Sequence, residues 1–193
     1  MALAFGALVV GLGLLLSLLM GEMLKQRIQK DVGTSLHTVA RNASRLLASG
    51  LQERAREVWV MAQSQGIWEH GLDSPQVQQA MARRQAMQPH NLWIGAADLD
   101  GVVRAATGNL LRGQSVLQRP WFSAGLHGLH VGDVHPAKML ASLLAPNAAG
   151  EPQRFVDFSA PILSGDKTIG VLALHGSWDW TREVIEGLLP PNA

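Results

Sequence analysis

The sequence predicts an α+β fold in which one very long N-terminal helix leads into an antiparallel sheet of four to five strands with short helices. Three observations predict it. Residues 1–20 carry no charged side chain, and the stretch from there to residue 65 repeats apolar residues at helical spacing. After residue 90, two pairs of short apolar runs each fold about a glycine-containing turn.

A run of about 20 apolar residues matches the roughly 30 Å hydrocarbon core of a bilayer. The first run, MALAFGALVVGLGLLLSLLM, has neither the basic leading segment nor the Ala-x-Ala-like exit of a cleavable signal. Residues 1–23 are therefore expected to be an uncleaved membrane anchor. Charge points the other way: Lys25, Arg27 and Lys30 follow the span and no basic residue precedes it, which by the positive-inside rule would leave the rest of the chain in the cytoplasm. A basic flank missing from the start would remove that conflict.

Between Glu22 and Gln65 there is no proline. Ile28, Val32, Leu36, Val39, Ala43, Leu46, Leu47, Leu51, Ala55, Val58 and Ala62 recur at alternating threes and fours. That is one helical stripe, predicting a stalk helix over residues 24–65 of roughly 60 Å. So narrow a stripe on so long a helix calls for a partner helix or a domain laid along it, and a homodimer through this helix is expected.

Residues 66–189 are expected to form the folded domain. Gly66 and Asp73-Ser74-Pro75 end the stalk, and Ser74 caps a helix over 75–87 with Pro75 at its first position. Asn91–Ala97 and Val102–Thr107 flank Asp98-Leu99-Asp100-Gly101 as a hairpin. That tetrapeptide lacks the third ligand and distant Glu of a calcium loop. Arg154–Ile162 and Thr168–Gly176 form a second hairpin about Ser164-Gly165-Asp166. Between the hairpins lie a Gly-rich loop, a helix at Pro120–Gly125, an extended piece at His130–Val134 and a helix at Pro136–Leu144. A last helix, Trp178–Leu189, meets Pro190-Pro191, and the sheet is expected to carry its helices on one face. Residues 190–193 read as the truncated end of a longer receptor.

Composition narrows the function. The 193 residues include 47% apolar and 16% charged, below the roughly 25% charged usual for soluble domains. No cysteine is present, which removes disulfides, thiolate metal sites and cysteine nucleophiles. Residues 24–64 hold seven basic and three acidic side chains, residues 65–193 nine and eleven. A basic stalk suits an anionic lipid surface. Without a basic patch with interleaved aromatics in the second part, nucleic acid is not an expected partner. No nucleophile elbow, phosphate-binding glycine loop or His-Glu metal motif is present, so no enzyme activity and no cofactor is expected.

Four segments in order, RPWFSAG from Arg119, GDVH from Gly132, RFVDFSAPI from Arg154 and IGVLALHGSWDW from Ile169, carry a family resemblance. Across residues 22–189 the chain resembles the Cache (double-Cache, PAS-like) extracytoplasmic sensor domains of bacterial receptors. The likeness is closest to those preceding membrane-bound diguanylate cyclases, and extends to chemoreceptor and sensor-kinase ectodomains. The resemblance implies that Arg119 and Trp121 face a ligand carboxylate, while Asp133 and, more loosely, Asp157 hold an ammonium. It also implies two departures: Phe122 stands where the family has a tyrosine hydroxyl, and Gln114 where it has a tyrosine five residues before the arginine.

The residues themselves leave alternatives open. Arg119 offers a planar fork to a carboxylate, or braces its own loop through backbone carbonyls. Trp121 and Phe122 are equally core or pocket wall. By strand alternation Phe155, Asp157 and Ser159 share one face, opposite Val156, Phe158 and Ala160. A carboxylate between aromatics needs a partner, which would be a ligand ammonium, Arg119 or Arg154. His127, His130, His135 and His175 read as histidines that hydrogen-bond the insert, since their spacing matches no metal motif. The expected protein is thus a membrane-anchored periplasmic or extracellular sensor for a small carboxylate or amino-acid-like metabolite. It would signal to a cyclase, kinase or chemotaxis output; the alternative is a ligand-free module that mediates assembly.

Overall fold

The structure, a computed structural model, describes residues 1–136, 140, 142–144, 150–151 and 153–188. The expected helix at 136–144 and the end of the last helix with Pro190-Pro191 lie largely outside the described residues. The chain divides into two compact units, Met1–Arg45 and Leu46–Ala193.

The first unit is helical from residue 2 onward, the opening part of α1 (Ala2–Gln63). Its apolar side chains are exposed, and α1 is the one described helix long and apolar enough to cross a membrane. Thr34 and Thr38 spend their hydroxyls on the carbonyls one turn back, at Lys30 and Thr34, each 2.9 Å away. Neither polar side chain therefore interrupts the helix.

The second unit contains the end of α1, a one-turn α2 (Gln65–Trp68) and α3 (Pro75–Met87). Ser74 caps α3 by accepting from the Val77 N–H at 3.4 Å. Strands follow as β1 (Asn91–Asp98) and β2 (Val103–Ala106), then a 3₁₀ turn at Thr107–Asn109 and α4 (Pro120–His127). The chain continues as β3 (His130–Val131), β4 (Phe155–Ser164), β5 (Lys167–Ser177) and α5 (Trp180–Glu186). All strand pairs are antiparallel, in the order β2-β1-β5-β4-β3. The two expected hairpins thus join through β1 and β5.

The sheet is covered on both faces, where the sequence suggested helices on one. On the first face Val58, Met61 and Ala62 of α1, Trp68 of α2 and Met81 of α3 pack on Ile94, Phe158, Ile162 and Leu174. On the other, Trp121 and Phe122 of α4 pack with Trp93, Phe155, Val171 and Ala173. This explains why β4 is buried without alternation from Phe155 to Ile162: a strand covered on both sides reads as a continuous apolar run. The last helix folds back on α1, where the Arg54 guanidinium lies 4.5 Å over the Trp180 ring. Gly50 makes the room, since a Cβ there would stand 2.8 Å from that ring.

Candidate functional site

α4 starts where it does because Arg119, extended at φ −83° and ψ 131°, precedes Pro120, whose fixed φ suits the first helical turn. The helix then lies flat on β4 and β5. A Cβ on Gly125 would stand 2.6 Å from Val171 Cγ1 and 2.7 Å from Ser159 Oγ, so only glycine permits this approach. Ser159 donates to the Trp121 carbonyl at 2.7 Å and fixes the helix along the strand.

Beside α4 opens a cavity of about 550 Å³, within the range of small-molecule sites. Its floor is Asp157 of β4 and His175 of β5, directly paired across the two strands. Trp121 and Leu140 supply apolar wall, while Arg119, His130, Asp133 and His135 supply polar groups. Gly132 crosses close above the floor: its N–H donates to the Asp157 carbonyl at 2.7 Å, and a Cβ would come within 3.3 Å of Asp157 Cβ. Leu111, also on the wall, sits in the left-handed region at φ 63°, a conformation that costs a branched side chain energy.

His175 is boxed by aromatics. Trp93 stacks on it at 4.8 Å between centroids, and Trp121 and Phe155 meet it edge-on at 5.7 and 6.1 Å. Its Nδ1 donates to Asp157 Oδ1. His135 approaches the other oxygen, with Nε2 3.4 Å from Asp157 Oδ2. Its Nδ1 lies 3.0 Å from the Asp133 carbonyl, an acceptor without a proton, so Nδ1 carries the hydrogen.

The structure therefore gives Asp157 two imidazoles, where the sequence offered Arg119, Arg154 or a ligand ammonium. Phe122 is corrected as well: it is 1% exposed in the core beneath α4 and does not line the cavity. Trp121, although buried, does line it. Asp133 is exposed at the rim, its Oδ1 accepting the Val134 N–H at 2.7 Å. Arg119 is exposed and borders the cavity, and among the described residues its guanidinium has no hydrogen-bond or ion-pair partner. Among the described residues it does not brace its loop through backbone carbonyls. His127 does serve its own helix, donating from Nδ1 to the Ser123 carbonyl at 2.8 Å. Sequence reasoning missed Leu111, Val116 and Leu140 as cavity residues, and it read His130, His135 and His175, which also line the cavity, only as histidines that hydrogen-bond the insert. Among the described residues no group of three or more His, Asp or Glu is placed to hold a metal ion.

No family model and no curated protein matches the chain by sequence. Among solved structures, the sensor domain of the Vibrio cholerae histidine kinase DctB superposes with a TM-score of 0.58 at 12% identity, covering 83% of this chain and 60% of that one. The ligand-binding domain of the Pseudomonas aeruginosa amino-acid chemoreceptor PctC, solved with GABA, gives 0.56 at 15% identity, with 74% and 59% covered. A protein described as methyl-accepting chemotaxis protein X gives 0.61 at 13% identity, with 86% and 69% covered. The chain thus spans about 60% of the length of the first two domains. At these identities the likeness is one of architecture: the chain has the α+β fold of bacterial ligand-binding sensor domains.

Proposed function

We propose that this chain is the membrane-anchored sensory part of a bacterial receptor, binding a small carboxylate or amino-acid-like metabolite in the cavity beside α4. The observation that carries the reading is a cavity of about 550 Å³ bordered by Arg119, whose guanidinium is unpaired among the described residues. A planar fork with no partner of its own is prepared for a carboxylate. Trp121 would pack over the ligand's apolar part, and Asp133 and Asp157 would set its far end. An open cavity weighs against the ligand-free alternative, in which Trp121 and Phe122 would fill the space.

In this reading the membrane helix holds the sensor outside the cytoplasm, and the stalk pairs with that of a second copy. A ligand bridging Arg119 and the strands would favour one placement of α4 on β4 and β5. A ligand moves such an equilibrium only by its differential affinity for the two placements. The sheet carries the end of α1 on its other face, so the stalk is the element through which a cyclase, kinase or chemotaxis output would be driven.

The test is a metabolite screen on the full chain in detergent, read as thermal stabilisation. A ligand at about 100 times its Kd adds about 2.7 kcal/mol to stability, a clear shift in Tm. Arg119→Ala is expected to abolish that shift while leaving the unliganded Tm in place, because the side chain is exposed. An unchanged response in Arg119→Ala would remove Arg119 from the site.

A further inference from the structure

On the face of the sheet turned away from the cavity, the contact with the end of α1 contains polar atoms that nothing satisfies. Among the described residues, four buried side-chain atoms have no hydrogen-bond partner: Arg54 Nε, Glu57 Oε2, and both Nδ2 and Oδ1 of Asn91. Glu57 has Arg84 on its other oxygen at 3.3 Å. Asn91 is 1% exposed, and neither end of its amide is paired. A buried donor or acceptor left unpaired costs more than an ordinary hydrogen bond contributes, so these atoms point to a ligand.

Register brings Asn91 and Arg54 to one place. Asn91 pairs with Gly176 across β1 and β5, so the two share a face of the sheet. A bulge in β1 between Asn91 and Trp93 turns Trp93 to the other face, where it stacks on His175. A Cβ on Gly176 would stand 3.6 Å from Phe158 Cε2, 3.7 Å from Leu174 Cδ2 and 3.8 Å from Arg54 Cδ. Those are ordinary contact distances, so the space that Gly176 leaves beside Asn91 takes a methyl-sized group. Arg54 cannot swing its Nε out to solvent, because Nη1 donates to the Gly50 carbonyl at 3.1 Å and the guanidinium lies over Trp180.

We propose that Arg54 and Asn91 hold a buried water molecule in this space, so that the end of α1 meets the sheet through a hydrated polar contact directly behind the cavity floor. Water matches the space in size, accepts from the Arg54 Nε–H and donates to Asn91 Oδ1. Turning the amide over exchanges its donor and acceptor and leaves the water about two to three partners either way. A metal cation would meet the guanidinium charge, and a polyatomic anion exceeds the space. The site lies across the sheet from the ligand cavity, and the proposal does not depend on the ligand-binding reading.

Gly176→Ala tests it on the full chain in detergent, because the methyl takes the place of the water. Gly176 has neither a positive φ nor a close neighbour, so alanine fits. With a water there, the substitution strands Arg54 and Asn91, and Tm is expected to fall by at least about 3 °C. In a dry space the methyl would add contacts and remove the backbone freedom of glycine, so an unchanged or raised Tm overturns the proposal. Asn91→Leu, close to asparagine in shape, separates loss of water from crowding. In that background the fall caused by Gly176→Ala is expected to shrink at least about twofold. An equal fall in both backgrounds would be steric and would refute the water. Labelling asparagine with nitrogen-15 gives a measurement that needs no substitution. The Asn91 side-chain amide is expected to show a nuclear Overhauser effect to water, lost in Gly176→Ala; its absence from the unsubstituted chain overturns the proposal.

Discussion

Asp98 shows how one side chain closes the first hairpin. Its Oδ1 accepts the N–H groups of Asp100 at 3.1 Å and Val102 at 2.9 Å, and its Oδ2 accepts from Arg104 Nε. Gly101 completes the turn at φ +74°, where a Cβ would also strike the Leu117 backbone at 2.8 Å. Burial pushes the Asp98 carboxyl up, but the Val102 N–H, the Arg104 guanidinium and the Asp100 N–H together hold it below its ordinary 3.8. A depressed carboxyl binds its proton more weakly in the folded state. Its contribution is therefore complete above about pH 4 to 5 and is lost as pH falls through the lower folded value. Asp98→Ala is expected to cost about 1–2 kcal/mol near neutrality, the low side of the range of about 1.5–3 kcal/mol for hydrogen bonds to a charged group because its Arg104 partner is half exposed to solvent. Paired melting curves should converge below pH 3.8, the ordinary value. A gap that persists in acid would show that the loss is one of packing, not of charge.

At the scale of elements, α4 decides whether there is a pocket, and Gly125 decides where α4 lies. Gly125→Ala gains about 1 kcal/mol of helix propensity. Against this it drives a methyl into Val171 and Ser159, an overpacking cost of about 1–3 kcal/mol, and strains the Ser159 bond to the Trp121 carbonyl, worth about 1 kcal/mol more. The clash wins: the variant should melt lower and bind a carboxylate ligand more weakly, because Trp121 lies on this helix and Arg119 directly precedes it. Gly128→Ala is the control, with nothing within 4 Å of its Cβ and an extended φ of 163°. If both alanines behave alike, α4 does not depend on that close approach. The same helix marks the limit of what the sequence made legible. Ser74-Pro75, Asp98-to-Gly101 and Pro120 set element starts and turns through local chemistry, and those are found where the sequence put them. The partner of Asp157 depends on register. Counting back residue for residue from Ser164 opposite Lys167 would set Asp157 against Leu174, on the wrong face. A register shift between Ile162 and Leu163 sets it against His175 instead. Alternation alone contains no sign of a one-residue bulge. His135 and Arg119 reach the cavity from loops, where no periodicity applies.

For the whole molecule, the open question is what covers the stalk. Toward its end the apolar stripe is occupied: Val58 and Ala62 are buried against the sheet. Further back, Ile28, Val32 and Leu36 on the same stripe are 53%, 51% and 65% exposed in the single chain. Burying apolar area stabilises by about 25 cal/mol per Å², so a continuous exposed stripe favours pairing with another helix. The homodimer proposed above supplies that helix in the form of a second stalk. The chain has no cysteine, so an introduced thiol reports without background. Val32→Cys and Leu36→Cys lie on the stripe, whereas Thr34→Cys lies about 200° around the helix from residue 32. Oxidation of each variant in membranes is expected to give a covalent dimer for the first two and monomer for the third. Equal cross-linking at all three positions would mean random collision in the bilayer. Cross-linking at Thr34→Cys alone would place the contact on the polar face, and the stripe would then need another partner.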